Sequence, residues 1–193
     1  MAIQSFREII GAQPSKVSTS SSVLIIIDAQ NEYAEGHLKV HNVDASRKVI
    51  SSLLQKYRSS SAPVIHVVHD TPSGAPIFTP STPLAGEFSE LAPRDGETVI
   101  HKQAPSSFTG TELDDVLKRL GKKQIVLVGY MAHVCITGTA RSGMEMGYDV
   151  VVVEDGIGDR DIPGVKAEIL VKTVLAELAD AIGTVVSSAD ITS

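Results

Sequence analysis

The run Ser22-Val-Leu-Ile-Ile-Ile27, ending in Asp28, constrains the fold more than any other stretch. Residues 23–27 have no polar face, so a strand made of them has to be covered on both sides. Strands of that kind belong to parallel sheets packed between helices. The rest of the chain agrees. Residues 64–68, 98–101, 125–128, 150–153 and 184–186 are further short runs rich in β-branched residues. Between them, apolar residues recur at helical spacing. Val49, Ile50, Leu53, Leu54 and Tyr57 follow Asp44, a candidate N-cap. Leu113, Val116, Leu117 and Leu120 follow Thr111. A small-residue helix is expected from near His133 to Gly147, and another over 166–181. Strands alternating with helices predict a three-layer α/β/α architecture with a six-stranded parallel sheet and right-handed crossovers.

The 193 residues suit a single domain spanning 1–193. The formal net charge of -6 comes from interspersed acids and bases, with no basic stripe for a nucleic-acid partner. The single cysteine makes no internal disulfide and suits a reducing compartment. The N-terminal segment lacks a basic start followed by an apolar run, and the apolar runs elsewhere are too short to span a bilayer. A cytoplasmic protein without membrane partners is the resulting expectation, with export by a route that uses no signal peptide left open.

Residues 69–96 differ from the rest. Pro72, Pro76, Pro80, Pro83 and Pro93 break any long regular element. A segment like this in a compact domain is either a lid or binding surface, or a solvated excursion or subunit contact.

Three residues with reactive side chains follow predicted strands. Asp28 follows the first, Lys102 the third, and Cys135 the fourth after a short turn. Ligands of open parallel sheets bind outside the carboxyl ends of the strands, so all three are expected on one edge. Taken singly, each has an ordinary reading: a small buried hydrophobe, a turn cap, a surface charge. Together they are complementary. A helix N-terminus and a lysine are expected to lower the thiol pKa. A carboxylate within reach can accept and return its proton. Backbone N–H groups in the turn before Cys135 can hold an oxyanion.

These motifs resemble the isochorismatase-like cysteine hydrolases. Leu24-Ile-Ile-Ile-Asp28-Ala-Gln30-Asn31-Glu-Tyr33 is similar to that family's opening motif. Lys102 with Ser107-Phe108 and Thr111-Glu-Leu113 resembles its lysine motif. Gly129-Tyr-Met-Ala-His-Val-Cys135-Ile, Thr139-Ala140 and Gly147-Tyr148 resemble its cysteine motif. The resemblance implies a catalytic Asp28-Lys102-Cys135 triad and a small-molecule substrate. It also implies assembly into homo-oligomers and a non-proline cis peptide at Tyr130–Met131. The N–H groups of Met131 and Cys135 would form the oxyanion hole. Ala132 stands where the family usually has threonine. Gln30, Tyr33, Phe108, Tyr130 and His133 are candidate substrate-binding residues. For Phe108 and Tyr33 the alternative is core packing, and for His133 a helix cap.

No metal and no cofactor are expected. His66 and His69 are three apart on a strand and point to opposite faces, and the family's metal-binding motif is absent from His66-Val-Val-His69-Asp70. Gly156-Ile-Gly158 lacks the third glycine of a dinucleotide loop and reads as an ordinary loop. Two reactions fit the resemblance. One is hydrolysis of a small amide through a Cys135 thioester. The other is vinyl-ether hydrolysis of isochorismate to pyruvate and 2,3-dihydro-2,3-dihydroxybenzoate. A non-catalytic oligomeric binding protein is the alternative.

Overall fold

A computed structural model of the chain describes residues 3–193; the first two residues of the N-terminal segment lie outside the described residues. Six strands form one parallel sheet: β1 (Ser22–Ile27), β2 (Val64–His69), β3 (Thr98–Lys102), β4 (Gln124–Gly129), β5 (Asp149–Ile157) and β6 (Thr184–Val186). Their spatial order is β3-β2-β1-β4-β5-β6, and every paired neighbour is parallel. The chain winds outward from β1 in one direction and then from β4 in the other. The switch between β1 and β4 opens a crevice at their carboxyl ends.

All six residues of β1 are buried, as its unbroken apolar character requires. Side chains alternate between two cores. Leu24 and Ile26 pack with Ile50, Leu53, Leu54 and Tyr57 of helix α3 (Val43–Ser59). Val23, Ile25 and Ile27 face the opposite layer, built from α4 (Leu113–Arg119), α5 (Thr137–Glu145) and α6 (Ala167–Ala181). Two four-residue helices, α1 (Phe6–Ile9) and α2 (Glu32–Glu35), were not expected from periodicity.

Some boundaries differ from expectation. Helix α3 starts before Asp44, because Asn42 adopts the left-handed conformation and turns the chain early. Asp44 instead lies in the first turn, where a negative charge favours the helix dipole. The cysteine helix opens with a five-residue π turn, Ala132–Ile136, before α5 begins at Thr137. Gly156 and Ile157 belong to an extended β5 rather than to a loop. There a register shift against β4 pairs Ile157 with Gly129.

The proline-rich segment 69–96 is anchored at a few points while most of its residues stay at least partly exposed. It contains two short 3-10 turns, Pro83–Ala85 and Ser89–Leu91, and buries Phe78, Phe88 and Leu91 against the α3 side of the sheet. Glu32 helps tie it down. Its carboxylate accepts hydrogen bonds from Phe78 N–H at 3.1 Å and Leu38 N–H at 3.1 Å.

Candidate active site

Asp28 ends β1 with φ of 50°, a left-handed conformation that aspartate tolerates better than most residues. Its N–H still donates to Val67 C=O at 2.8 Å, so the turn is pinned to β2. Lys102 is the last residue of β3, and register pairs it with His69. Gly129 has φ of 115°, and a Cβ there would lie 1.9 Å from Ile27 O, so only glycine lets β4 leave the sheet this close to β1. The Tyr130–Met131 peptide that follows is cis, as the resemblance implied.

These turns bring Asp28, Lys102 and Cys135 together, with exposures of 0%, 2% and 4%. The Lys102 ammonium is the hub. It donates to His69 Nδ1 at 3.1 Å, to Ala104 C=O at 3.1 Å and to Cys135 Sγ at 3.3 Å. Asp28 Oδ2 lies closer still, at 2.8 Å. An ammonium has three protons for these four neighbours. The nearest of the four, Asp28, forms an ion pair with the ammonium at hydrogen-bonding distance, and the Cys135 thiol also reaches its carboxylate.

Burial pushes the Asp28 carboxyl up to about 6, against the opposing pull of Lys102 and Cys135. Burial also pushes the Cys135 thiol up to about 12; the Asp28 charge adds to this and Lys102 opposes it. This reverses the sequence expectation of a lowered thiol pKa. A sulfur enclosed this fully, beside a carboxylate, loses more from desolvation than one lysine returns. Burial and Lys102 together hold His69 down at about 4. Its neutral ring therefore offers Nδ1 as an acceptor to Lys102.

His69 is thus part of the site although sequence reasoning treated it only as a rejected metal ligand. Its pairing with Lys102 in the β2–β3 register was the signal available. His66 faces away from it, with Nδ1 3.1 Å from Glu87 Oε1 and Nε2 3.2 Å from Glu97 Oε2. Among the described residues no cluster of three or more His, Cys, Asp or Glu side chains is arranged to hold a metal.

The candidate binding residues divide. Tyr33 lies in the wall of the site, its ring edge-on to Phe78 at 5.2 Å, and Phe78 in turn lies 5.2 Å from the His69 ring. Gln30 is fully buried, and its carboxamide is spent on the backbone: it donates to His69 C=O and Ala85 C=O and accepts from His69 N–H. It is a strut rather than a ligand contact. Tyr130 points into the α3 core, its hydroxyl 2.7 Å from Ser46 Oγ. Phe108 stacks on Tyr148 at 5.7 Å, away from the three central residues, because it belongs to the α4–α6 layer. His133 pairs with Asp159, its Nδ1 2.6 Å and its N–H 3.0 Å from Oδ2. Met131 N–H has no backbone acceptor among the described residues. A surface groove of about 570 Å³ between α3 and α6 is lined by His41, Ala45, Asp155, Val171 and Leu175, and none of the three central residues reaches it.

A strand-end acid, lysine and thiol thus meet at the switch point of a doubly wound sheet, and comparisons with known proteins give the family. The isochorismatase domain model matches residues 22–190. The chain is 60% identical to the secreted isochorismatase effector Isc1 of Verticillium dahliae, over 98% of this chain and 100% of that one. It is 28% identical to the ureidoacrylate amidohydrolase RutB of Yersinia enterocolitica, over 76% of this chain and 80% of that one. The crystal structure of an isochorismatase from Pseudomonas putida superposes with a TM-score of 0.95 at 32% identity, covering 98% of this chain and 100% of that one. The chain belongs to the isochorismatase family of hydrolases.

One expectation is corrected by these relatives. The Verticillium protein is named as secreted, which points to secretion rather than to a cytoplasmic protein. The sequence argument failed because it took the missing leader pattern and the lone cysteine as marks of a compartment. No helix among the described residues is long and apolar enough to cross a membrane.

Proposed function

We propose that the protein hydrolyses the vinyl ether of isochorismate, with Asp28 as the acid, Lys102 as its electrostatic partner and Cys135 beside them. The observation that carries this reading is the Asp28 carboxyl, buried, raised to about 6 and paired with Lys102 at 2.8 Å. A carboxyl tuned close to neutrality can both give and take a proton. The relative named as an isochorismatase effector, 60% identical, supports the same substrate.

In this reaction Asp28 protonates the terminal methylene carbon of the enol ether. The ether carbon becomes an oxocarbenium ion. Water adds to it and returns a proton to Asp28. The resulting hemiketal collapses to the ketone of pyruvate: the bond between its carbon and the ether oxygen breaks, and that oxygen stays on the ring and takes the hemiketal hydroxyl proton. The products are pyruvate and 2,3-dihydro-2,3-dihydroxybenzoate. Lys102 holds charge balance around Asp28 throughout, since it lies 2.8 Å away.

A second reading is hydrolysis of a small amide, favoured by the 3.3 Å contact of Lys102 Nζ with Cys135 Sγ. Asp28 would take the thiol proton, and the sulfur would attack the carbonyl. The N–H groups of Met131 and Cys135 would hold the oxyanion, and Asp28 would protonate the leaving amine before water cleaves the thioester. The relative named as an amidohydrolase acts on such a bond.

The deciding experiment measures pyruvate release from isochorismate, and mass of the intact protein after mixing with an amide panel. The first reading expects pyruvate from wild type and from Cys135→Ala, and none from Asp28→Asn. A covalent adduct on Cys135 with no pyruvate would replace it by the second. Neither signal would leave a binding protein of this fold.

A further inference from the structure

Asp28, Lys102 and Cys135 are so enclosed that a substrate reaches them only when one wall of the site moves. Most of the walls are tied down. Asp28 N–H donates to Val67 C=O, Gln30 locks the ends of β1 and β2 together, and Ala132 N–H donates to Gly158 C=O at 2.9 Å. Residues 71–82 are held differently. Their flanks are pinned, by Asp70 N–H to Lys102 C=O at 2.8 Å and by Asn31 Nδ2 to Pro83 C=O at 2.9 Å. Between those pins Phe78 is the sole buried residue. Among the described residues, the one hydrogen bond that leaves the proline-rich segment from 71–82 is also at Phe78, whose N–H donates to Glu32 Oε2 at 3.1 Å.

The Phe78 ring lies edge-on to Tyr33 and tilted on His69, at 5.2 Å from each. The His69 ring in turn accepts from Lys102 Nζ at 3.1 Å, so Phe78 covers the side of the site that His69 lines. Its backbone is strained, with φ of 46°, a conformation that bulky side chains rarely adopt. Such strain persists only where the surroundings impose it. Here the fully buried Glu32 carboxylate of α2 holds the N–H, and the Thr71 hydroxyl donates to the C=O at 3.2 Å. Lifting Phe78 loses two ring contacts and one hydrogen bond, and it relaxes the strained φ. Opposing terms of similar size are the condition for a segment that opens locally while the rest of the fold stays intact.

We propose that residues 71–82 are a lid over Asp28, Lys102 and Cys135, that Phe78 is the residue that latches it, and that substrate enters when Phe78 lifts away from His69 and Tyr33. The pins at Asp70 and Pro83 make the motion a local swing of the turn between them. Closure puts an aromatic face beside the reacting groups and keeps bulk water from them during the reaction. Phe78 is thereby a gating residue, and Glu32 positions it.

The chain's one cysteine lies under this lid and reports its opening. Wild type, Phe78→Leu and Glu32→Gln are mixed with methyl methanethiosulfonate, and the rate of Cys135 labelling is read from intact mass at several low urea concentrations. Both substitutions lie away from the sulfur and weaken only the latch. Each is expected to speed labelling about tenfold, the scale set by losing part of the ring contacts or the charge on the hydrogen bond. All three rates stay flat in low urea, because lifting one turn exposes little surface. Equal rates in wild type and both variants overturn the lid. A wild-type rate that climbs with urea in step with global unfolding overturns it too, since the site then opens only when the fold is lost. Faster labelling of the variants that climbs steeply with urea assigns the effect to lost global stability and has the same consequence. Labelling needs no substrate, so each outcome stands apart from whether isochorismate is hydrolysed.

Discussion

Gln30 and His69 exchange two hydrogen bonds: His69 N–H donates to Gln30 Oε1 at 2.9 Å, and Gln30 Nε2 donates to His69 C=O at 3.0 Å. The carboxamide behaves like one more peptide unit added to β2 where the sheet runs out. Its Nε2 also reaches Ala85 C=O at 2.8 Å, so one buried side chain fastens the proline-rich segment to two strand ends. Gln30→Ala leaves an N–H and two carbonyls without partners. We expect a loss of about 2–4 kcal/mol in urea unfolding, since buried unmade bonds cost about 1–3 kcal/mol each and some are recovered by water. A change below about 0.5 kcal/mol would show that the strut bears no load.

The pH dependence distinguishes the two proposed reactions, because Asp28 enters them in opposite forms. Its carboxyl lies at about 6. As the acid for isochorismate it has to be protonated, so kcat/KM falls about tenfold per unit as pH rises above that value. As the base for an amide it has to be ionised, so kcat/KM falls instead as pH drops below it. A profile of isochorismate turnover that climbs through pH 6 and 7 would sink the acid role.

His69→Leu removes the neutral acceptor that Lys102 uses at 3.1 Å. The ammonium then has one fewer competitor and is drawn toward Asp28. The carboxyl should titrate lower, and the limb of the pH profile should move toward acid with it. We expect kcat to fall about tenfold, the usual scale for a displaced supporting group. An unmoved limb with unchanged kcat would show that His69 only fills space.

Acid stability should track the Arg58–Glu97 pair. Arg58 donates to Glu97 at 2.7 and 2.8 Å, and Arg94 N–H adds a third bond at 2.7 Å. The Arg58 bonds foremost, against the opposing effect of burial, hold the Glu97 carboxyl down at about 2. A depressed carboxyl stabilises the fold fully above its unfolded value near 4.5, and that contribution disappears as pH falls from there toward 2. The amount is on the order of 2–3 kcal/mol. Urea midpoints of wild type and Glu97→Gln should therefore differ at pH 7 and converge near pH 2. A constant gap across that range would assign the effect to packing.

Much of the architecture was readable because it rests on local pattern. The unbroken apolar β1 could only be a doubly covered strand, and reactive residues placed just after β1, β3 and β4 could only meet at one edge. Relations made by long-range packing were not readable. That Gln30 would saturate itself on His69 and Ala85 depends on how residues 70–97 fold back, which no period or motif encodes. Phe108, open in the sequence between pocket and core, packs against the second core, where it stacks on Tyr148. The thiol pKa was misjudged for a similar reason. Helix position and a nearby lysine are visible in sequence, whereas a 4% exposed sulfur beside an equally buried carboxylate is not.

The depth at which Cys135 lies bears on where such a chain can survive. Peroxides and foreign disulfides react with thiolates they can reach. This sulfur is the chain's one cysteine, rests protonated and is almost wholly enclosed. Burial of this kind disfavours mixed-disulfide formation and overoxidation, and no second thiol is present to scramble with it. A buried, lone sulfur of this kind is a poor target for oxidants in the surrounding medium.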